Sequence, residues 1–494
     1  MGQFLVAAFF GLLNFQAISL MLFGCIVGII FGAIPGLSAL LGVTLLLPVS
    51  FGMSSINGFA LLISVWVGGV SGAFIAATLL GIPGSTASIA TCYDAYPMAQ
   101  KGQAVKALGG GIVGSFIGTF FSVIVATFLS PLIAEWAVKL GPWEYFSLCF
   151  CAIILVVSLS KGNIYKGLAS ASMGLLLCSV GIAPIDGFRR FTFNNYNLTG
   201  GINIIALVMG LYAIRLIVND YAVGGVITPN LDCTLEKGIG ITLKDLTDNT
   251  INIIRSFLIG LWIGFLPGMG AGLSNMIAYA QAKSSSKYPD KFGNGCIDGV
   301  LASEVSNNAS VGGAVIPMIA LGIPGDSTTA VLLGGLIIHG IEPGPLLFQQ
   351  NPVFVYTVLI AIALSAIITL ILQLFNIKRF PKILMIPYHY LYPALLIICF
   401  IGAFTGTNTL FSCGIMLFIA ALGIVMDIFK LPISPLILAF ILGPMLETNL
   451  RKGLTYTNQG FSVFLTRPVS AAFLLIALLS LIVPELKKRT TNKK

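Results

Sequence analysis

Residues 320–335 read ALGIPGDSTTAVLLGG, and residues 79–88, LLGIPGSTAS, carry nearly the same break in the other half of the chain. In each, an apolar run stops at Gly-Ile-Pro-Gly, shows several hydroxyls and turns apolar again. Proline removes a backbone donor and glycine tolerates dihedrals closed to other residues, so each break ends one helix and starts another. Inside hydrocarbon, the freed N–H and C=O groups are tolerated only where protein or a wet cavity satisfies them.

The rest of the sequence places these breaks in a membrane. Of 494 residues, 57% are hydrophobic and only 9% charged, where soluble domains carry about 25% charged residues. Apolar runs long enough to cross about 30 Å of hydrocarbon recur from end to end. A soluble protein with a very large core would need polar helix faces, and these are absent. The expected fold is an all-α polytopic membrane protein of roughly 10–12 transmembrane helices, with re-entrant or discontinuous pieces at the breaks. The N-terminal stretch MGQFLVAAFFGLLNF has no basic residue and reads as uncleaved. The net charge of +9 is spread over short loops and the tail KKRTTNKK, an orientation signal and no nucleic-acid footprint. The nine Cys are scattered, and Cys149 and Cys151 lie two apart on an apolar helix, so free buried thiols are expected. With only His339 and His389 available, no transition-metal site is expected.

The breaks come in pairs. GIIFGAIPGLSALLG (28–42) resembles GLWIGFLPGMGAGLS (260–274), and GPWEYFSLCFCAIIL (141–155) is loosely like IPYHYLYPALLIICF (386–400). With the Gly-Ile-Pro-Gly pair, the offsets are 232, 245 and 241 residues, about half the chain. The reading is a duplication, with a first membrane repeat over 1–218, a polar linker over 219–250, a second repeat over 251–446, and an extra helix with a basic cytoplasmic tail over 447–494. Cytoplasmic loops are enriched in Lys and Arg. Lys101 and Lys106 follow the second break of the first repeat, while the counterpart of that loop, 339–351, has no Lys or Arg. Lys161 and Lys166 contrast in the same way with 406–409. This favours inverted repeats with the C-terminus inside.

For one break, a packing kink is an adequate account. Paired breaks, each followed by Ser and Thr, point instead to a binding site at the repeat junction. The hydroxyls suit N-caps, and the positive end of each new helix attracts a carboxylate. The exposed carbonyls suit Na⁺. Candidate substrate ligands are Gly36, Ser38, Gly84, Ser85, Thr86, Gly325, Ser327 and Thr328, together with Asn307 and Asn308. Candidate cation ligands are Pro35, Pro83, Gly268, Glu304, Pro324 and Asp326. Glu304, Asn307 and Asn308 fall at i, i+3 and i+4, on one helix face. Carboxylates and amides in a membrane helix are costly unless they face protein, water or an ion; an interhelical hydrogen-bond cluster is the plainer alternative. No Lys or Arg lies beside the breaks in sequence, so helix dipoles and a bound cation have to supply the positive field. Na⁺ suits the hydroxyl, amide and carbonyl oxygens, with a proton on Glu304 or Asp326 as the other option. Asp427 and Lys430 read as a helix-end pair, and His339 as an interfacial residue.

The blocks 292–348, FGNGCIDGVLASEVSNNASVGGAVIPMIALGIPGDSTTAVLLGGLIIHGIEPGPLLF, and 32–118, containing GAIPGLSALLGVTLLLP and LLGIPGSTASIATCYDAYPMAQKGQAVKALGGG, carry a family resemblance. They resemble the large membrane (permease) subunit of the tripartite tricarboxylate transporters. The resemblance implies a bacterial inner-membrane secondary transporter driven by a cation gradient. It further implies two partners: a small four-helix membrane subunit, and a periplasmic or lipid-anchored binding protein that delivers an organic anion. It also implies that the paired Pro-Gly segments and Ser306-Asn307-Asn308 belong to the transport site. Trp66-Val67-Gly68-Gly69 stands where the family shows a Tyr-rich stretch, so citrate is not carried over. No organic cofactor and no nucleic-acid partner is expected, and a homo-oligomer is left open.

Two rival readings come from other classes. A channel would line a pore with rings of carbonyls or charges, usually from an oligomer. An intramembrane aspartyl protease would use Asp94 and Asp326 as a carboxylate pair, which leaves the duplicated Gly-Ile-Pro-Gly unexplained.

Overall fold

The computed structural model describes residues 1–159, 164–223, 238–384, 388–405, 407–457 and 459–491. Three of the linker charges, Asp232, Glu236 and Lys237, lie outside the described residues, as does Lys161. The described chain is helical almost throughout, and its strand is confined to Gly181–Ile182 paired with Arg189–Arg190. Among the described residues, 6 helices are long and apolar enough to cross a membrane, and shorter apolar helices of 10–17 residues accompany them. The protein is a multi-pass membrane protein, and exposed aromatics such as Phe15 and Phe375 are suited to hydrocarbon.

Polar caps and glycines set the helix boundaries of the first half. α1, Phe15–Ala33, opens where the Ala17 N–H donates to Asn14 Oδ1 at 2.7 Å. It ends before Pro35, and Gly36 turns the chain at a φ of 86°. Ser38 then caps α2, Ala39–Ser50, its hydroxyl oxygen accepting from the Leu41 N–H at 3.2 Å. α3, Ser55–Gly72, runs on into α4, Phe74–Leu80, which Gly81 closes at a φ of 68°. Beyond Pro83, a single 3-10 turn leads into α5, Ile89–Gln100, and α6, Ala104–Ala137, follows.

The second half repeats this order with α7, Thr250–Phe265, a break, and α8, Gly270–Ser285. Then come α9, Ile297–Leu321, a break, α10, Ser327–Ile338, and α11, Pro352–Asn376. Gly268 (φ 79°) and Gly322 (φ 72°) hold the places of Gly36 and Gly81.

The two halves pack their broken helices alike. Helices in a membrane associate by close backbone approach at small residues. A Cβ at Gly28 would lie 2.4 Å from the Val65 carbonyl oxygen, and one at Gly32 would lie 2.2 Å from that of Gly69. In the second half, a Cβ at Gly260 would lie 2.2 Å from Ser306 O and one at Gly264 would lie 2.4 Å from Ser310 O. These glycines are displaced by the 232-residue offset and their partners by the 241-residue offset. The breaks follow suit, since a Cβ at Gly84 would lie 2.4 Å from Gly32 O and one at Gly325 would lie 2.6 Å from Gly264 O. No side chain fits at these positions, so glycine is required there for space.

The halves also exchange contacts. α6 of the first packs on α9 of the second, where a Cβ at Gly118 would lie 2.4 Å from Val305 O. α11 of the second packs on α3 of the first, where Ser64 and Ser365 share a 2.8 Å hydrogen bond and Gln373 donates to Ser71 O at 2.9 Å. Loops pair in the same crossed sense. The loop after α5 meets the one after α8, with Lys101 donating to Asn294 O, while Ser50 at the end of α2 meets His339 at the end of α10 at 3.1 Å. His339 is thus a half-buried contact, edge-on to Phe59. The helix Ile433–Thr455 continues through the expected boundary at 446, held by Glu447, which pairs with both Arg190 (2.8 Å) and Arg451 (2.9 Å).

Candidate functional site

The four breaks meet at one cavity of about 1010 Å³. Its wall includes Gly36 and Ser38 from the first break, Gly84, Ser85 and Thr86 from the second, Gly268 from the third, and Pro324, Asp326, Ser327 and Thr328 from the fourth. The first residues of α2, α8 and α10 line it, as does the turn that leads into α5. Helix starts carry unpaired N–H groups and the positive end of the helix dipole. Several such ends around one cavity give a field that favours an anion without a lysine nearby. A direct bond ties two breaks together, since Gly268 N–H donates to Gly325 O at 2.7 Å.

Local hydrogen bonds keep these turns in shape. Ser85 and Ser88 cap each other reciprocally at the start of the 3-10 turn. Asp326 caps α10: its Oδ1 accepts from the Thr329 N–H and hydroxyl, both at 2.8 Å, and its own N–H donates to Thr329 Oγ1 at 2.8 Å. The Asp326 carboxylate therefore already lies against one of the four helix starts.

The structure separates Glu304, Asn307 and Asn308 from the cavity wall. All three are fully buried on α9, where it packs against α6 and α5. Glu304 accepts from Thr91 Oγ1 at 2.5 Å, Ser115 Oγ at 3.3 Å and Asn308 Nδ2 at 3.4 Å, with Asn307 Nδ2 at 3.5 Å. Asn308 Oδ1 accepts from Ser71 Oγ at 2.9 Å and Thr119 Oγ1 at 3.3 Å. The cluster has neutral donors only: Glu304 has no ion-pair partner among the described residues. Asn307 Oδ1, beside it, is buried and accepts no hydrogen bond among the described residues. Pro35, Pro83 and Gly325 complete the breaks without lining the cavity themselves.

Asp94 and Asp326 are held by different partners. Asp94 is buried, and its Oδ1 accepts from the N–H groups of Gly293, Gly295 and Cys296 at 2.9–3.0 Å. It clamps α5 to the loop before α9, and no contact with Asp326 is found among the described residues. The geometry offers no carboxylate pair for a protease.

Arg215 is a cavity residue that sequence spacing alone did not supply. It follows a π-helical segment, Met209–Ile214, and lines the wall with Tyr212 and Ser434. The expectation that no Arg stands near the breaks is corrected, because it counted only sequence neighbours. An arginine inside the apolar run GLYAIRLIV (210–218) is itself a signal, since ionisable residues in membrane helices usually serve a site. Asp427 does not pair with Lys430 through their side chains as expected. It accepts from Arg215 Nη1 at 3.2 Å and from Asn219 Nδ2 at 2.6 Å.

Comparison with known proteins agrees with the motifs. The family model described as the tripartite tricarboxylate transporter TctA family matches residues 18–438. A protein of Agrobacterium vitis, called an uncharacterized 52.8 kDa protein in the TAR-I ttuC' 3'region, is 30% identical over 468 residues, covering 93% of this chain and 91% of that protein. A second, from the TAR-II ttuC' 3'region of the same organism, is 34% identical over 223 residues, 45% of this chain and 92% of its own length. No solved structure matches.

Proposed function

This chain belongs to the tripartite tricarboxylate transporter TctA family, and from that premise we propose that the cavity at the four breaks is the transport site for an organic anion. A transporter subunit of this family works with partner subunits. The chain is the large membrane subunit of a secondary transporter that imports a di- or tricarboxylate, or a related anion, by cation symport. The observation that carries this reading is the meeting of four helix starts at one cavity. A carboxylate's desolvation is expensive, and aligned N–H donors repay it.

The buried cluster at Glu304 supports a coupled cation. A carboxylate out of water needs a counter-charge or a proton. The unpaired Asn307 Oδ1 beside it adds a second oxygen ligand, and neutral oxygens with a carboxylate suit Na⁺. The crossed exchange of contacts between halves, and the meeting of non-equivalent loops, support inverted repeats and alternating access. Lys101, Lys106, Lys287 and Lys291 gather on the side where those two loops meet, which supports a cytoplasmic assignment for that side in a bacterial inner membrane. The partners are a small four-helix membrane subunit and a binding protein outside.

The test is uptake into proteoliposomes holding the chain with its small subunit, supplied with binding protein and labelled succinate, malate or citrate. Saturable uptake driven by an inward Na⁺ gradient is expected. Uptake that a proton gradient alone sustains would replace Na⁺ by H⁺. No uptake under either gradient would overturn the reading.

A further inference from the structure

Among the described residues, one arginine lines the cavity, and its pairing is incomplete. Arg215 has, among the described residues, a single ion-pair bond, to Asp427 at 3.2 Å, and a buried Nε with no acceptor. Asp427 has a second, shorter donor in Asn219 at 2.6 Å, so its carboxylate keeps a partner if Arg215 leaves. Tyr212 reaches the same wall. It is buried, and its hydroxyl makes no well-formed hydrogen bond, its nearest polar neighbours being Ser327 and Ser434. Those two hydroxyls face each other at 3.3 Å, one from the first turn of α10 and one from the helix Ile433–Thr455. A buried guanidinium edge with no acceptor, and a buried phenol with only a poorly formed contact to two serines, cost free energy unless a ligand satisfies them. A guanidinium fork fits a carboxylate with two parallel bonds. π-Helical turns such as Met209–Ile214 recur at functional sites.

We infer that Arg215 is the cationic contact for one carboxylate of the transported anion, taken in exchange for Asp427, with Tyr212 donating to the same group. The helix starts at the breaks hold the remaining carboxylate. The favoured substrate has at least two carboxylates, and a monocarboxylate leaves one end of the cavity unpaired. This rests on the reading of the cavity as the anion site.

The experiment compares wild type, Arg215→Gln, Arg215→Lys and Asp427→Asn in the full transporter. It measures the concentration dependence of succinate, citrate and acetate uptake, with thermal stabilisation of the purified chain by the same anions as a second readout. Arg215→Gln is expected to raise the half-saturating succinate concentration by about tenfold or more, and Arg215→Lys by less. Asp427→Asn, which frees the guanidinium, is expected to lower it. A structural ion pair would give the opposite sign for Asp427→Asn, with both variants losing folded protein alike. That result, or an unchanged half-saturation in Arg215→Gln, overturns the assignment of Arg215. A wild type that is neither stabilised by nor takes up any of the anions overturns the cavity reading, and the role of Arg215 with it.

Discussion

Replacing Gly84 or Gly325 by alanine tests the way the breaks are built. In the structure, a Cβ at Gly84 would lie 2.4 Å from Gly32 O and 2.8 Å from Ala73 O. A Cβ at Gly325 would lie 2.6 Å from Gly264 O and 2.8 Å from the Ala314 Cα. Ordinary contact begins at 3.4 Å, so either backbone has to retreat by roughly 1 Å. The obstacles are backbone atoms of packed helices, which do not rotate aside. Overpacking of this kind costs about 1–3 kcal/mol, or more where nothing yields. Because the two sites are equivalent, both substitutions are expected to act alike. Each should lower the thermal inactivation temperature of the detergent-purified chain and reduce uptake. Gly414, with nothing within 4 Å of a built Cβ, serves as the control, and Gly414→Ala should leave both readouts unchanged. Normal stability in Gly84→Ala and Gly325→Ala would refute the close crossing of breaks and helices.

Three further outcomes follow from particular residues. Glu304→Gln keeps the volume of a fully buried side chain, so the amount of folded protein should hold while cation-driven uptake falls by about tenfold or more; cation-dependent uptake at the wild-type rate would exclude Glu304 from coupling. Asp94→Ala removes the acceptor of three backbone N–H groups. It should cost about 3 kcal/mol, with Asp94→Asn milder, as read by thermal inactivation. In the linker, burial pushes the Asp245 carboxyl up, but Thr242 and the Lys106 ammonium outweigh it and hold it below its ordinary 3.8. A depressed carboxyl stabilises above its unfolded value and loses that contribution only as pH falls through the lower folded value. Hydrogen-exchange protection in Leu243–Asp248, referred to the intrinsic rate at each pH, should therefore be unchanged between pH 7 and pH 5, about one unit above the ordinary value, and fall only below it. Opening already at pH 5 would refute the role of that pair.

How much of this was legible in the sequence depended on the range of each signal. The breaks and their pairing are local patterns, and glycine with proline in an apolar run has few meanings. The glycines of α1 and α7 were visible too, but which carbonyl each meets is a tertiary fact. Spacing placed Glu304, Asn307 and Asn308 on one face, yet a face does not name its neighbour. Their partners, Thr91, Ser71, Ser115 and Thr119, are ordinary helix hydroxyls with no motif. Arg215 belongs to no motif and lies far from the breaks in the chain, so spacing around the breaks does not point to it. The fold brings it there from 109 residues before Pro324 in the chain. Asp427 was misassigned for the same reason, a sequence neighbour being preferred to a distant arginine.

The central claim, that the four breaks enclose the anion site, is tested most directly by substrate protection at the cavity wall. Single cysteines would replace Thr86 and Ser327 in a background lacking the nine native cysteines. A third, replacing Ser462 on an exposed surface helix, serves as the reference. Alkylation by a water-soluble maleimide is followed with and without the carboxylate that the transporter takes up. The account predicts that the anion slows alkylation at both Thr86→Cys and Ser327→Cys and leaves Ser462→Cys unchanged. Equal alkylation rates at all three positions, at anion concentrations that saturate uptake, would contradict it.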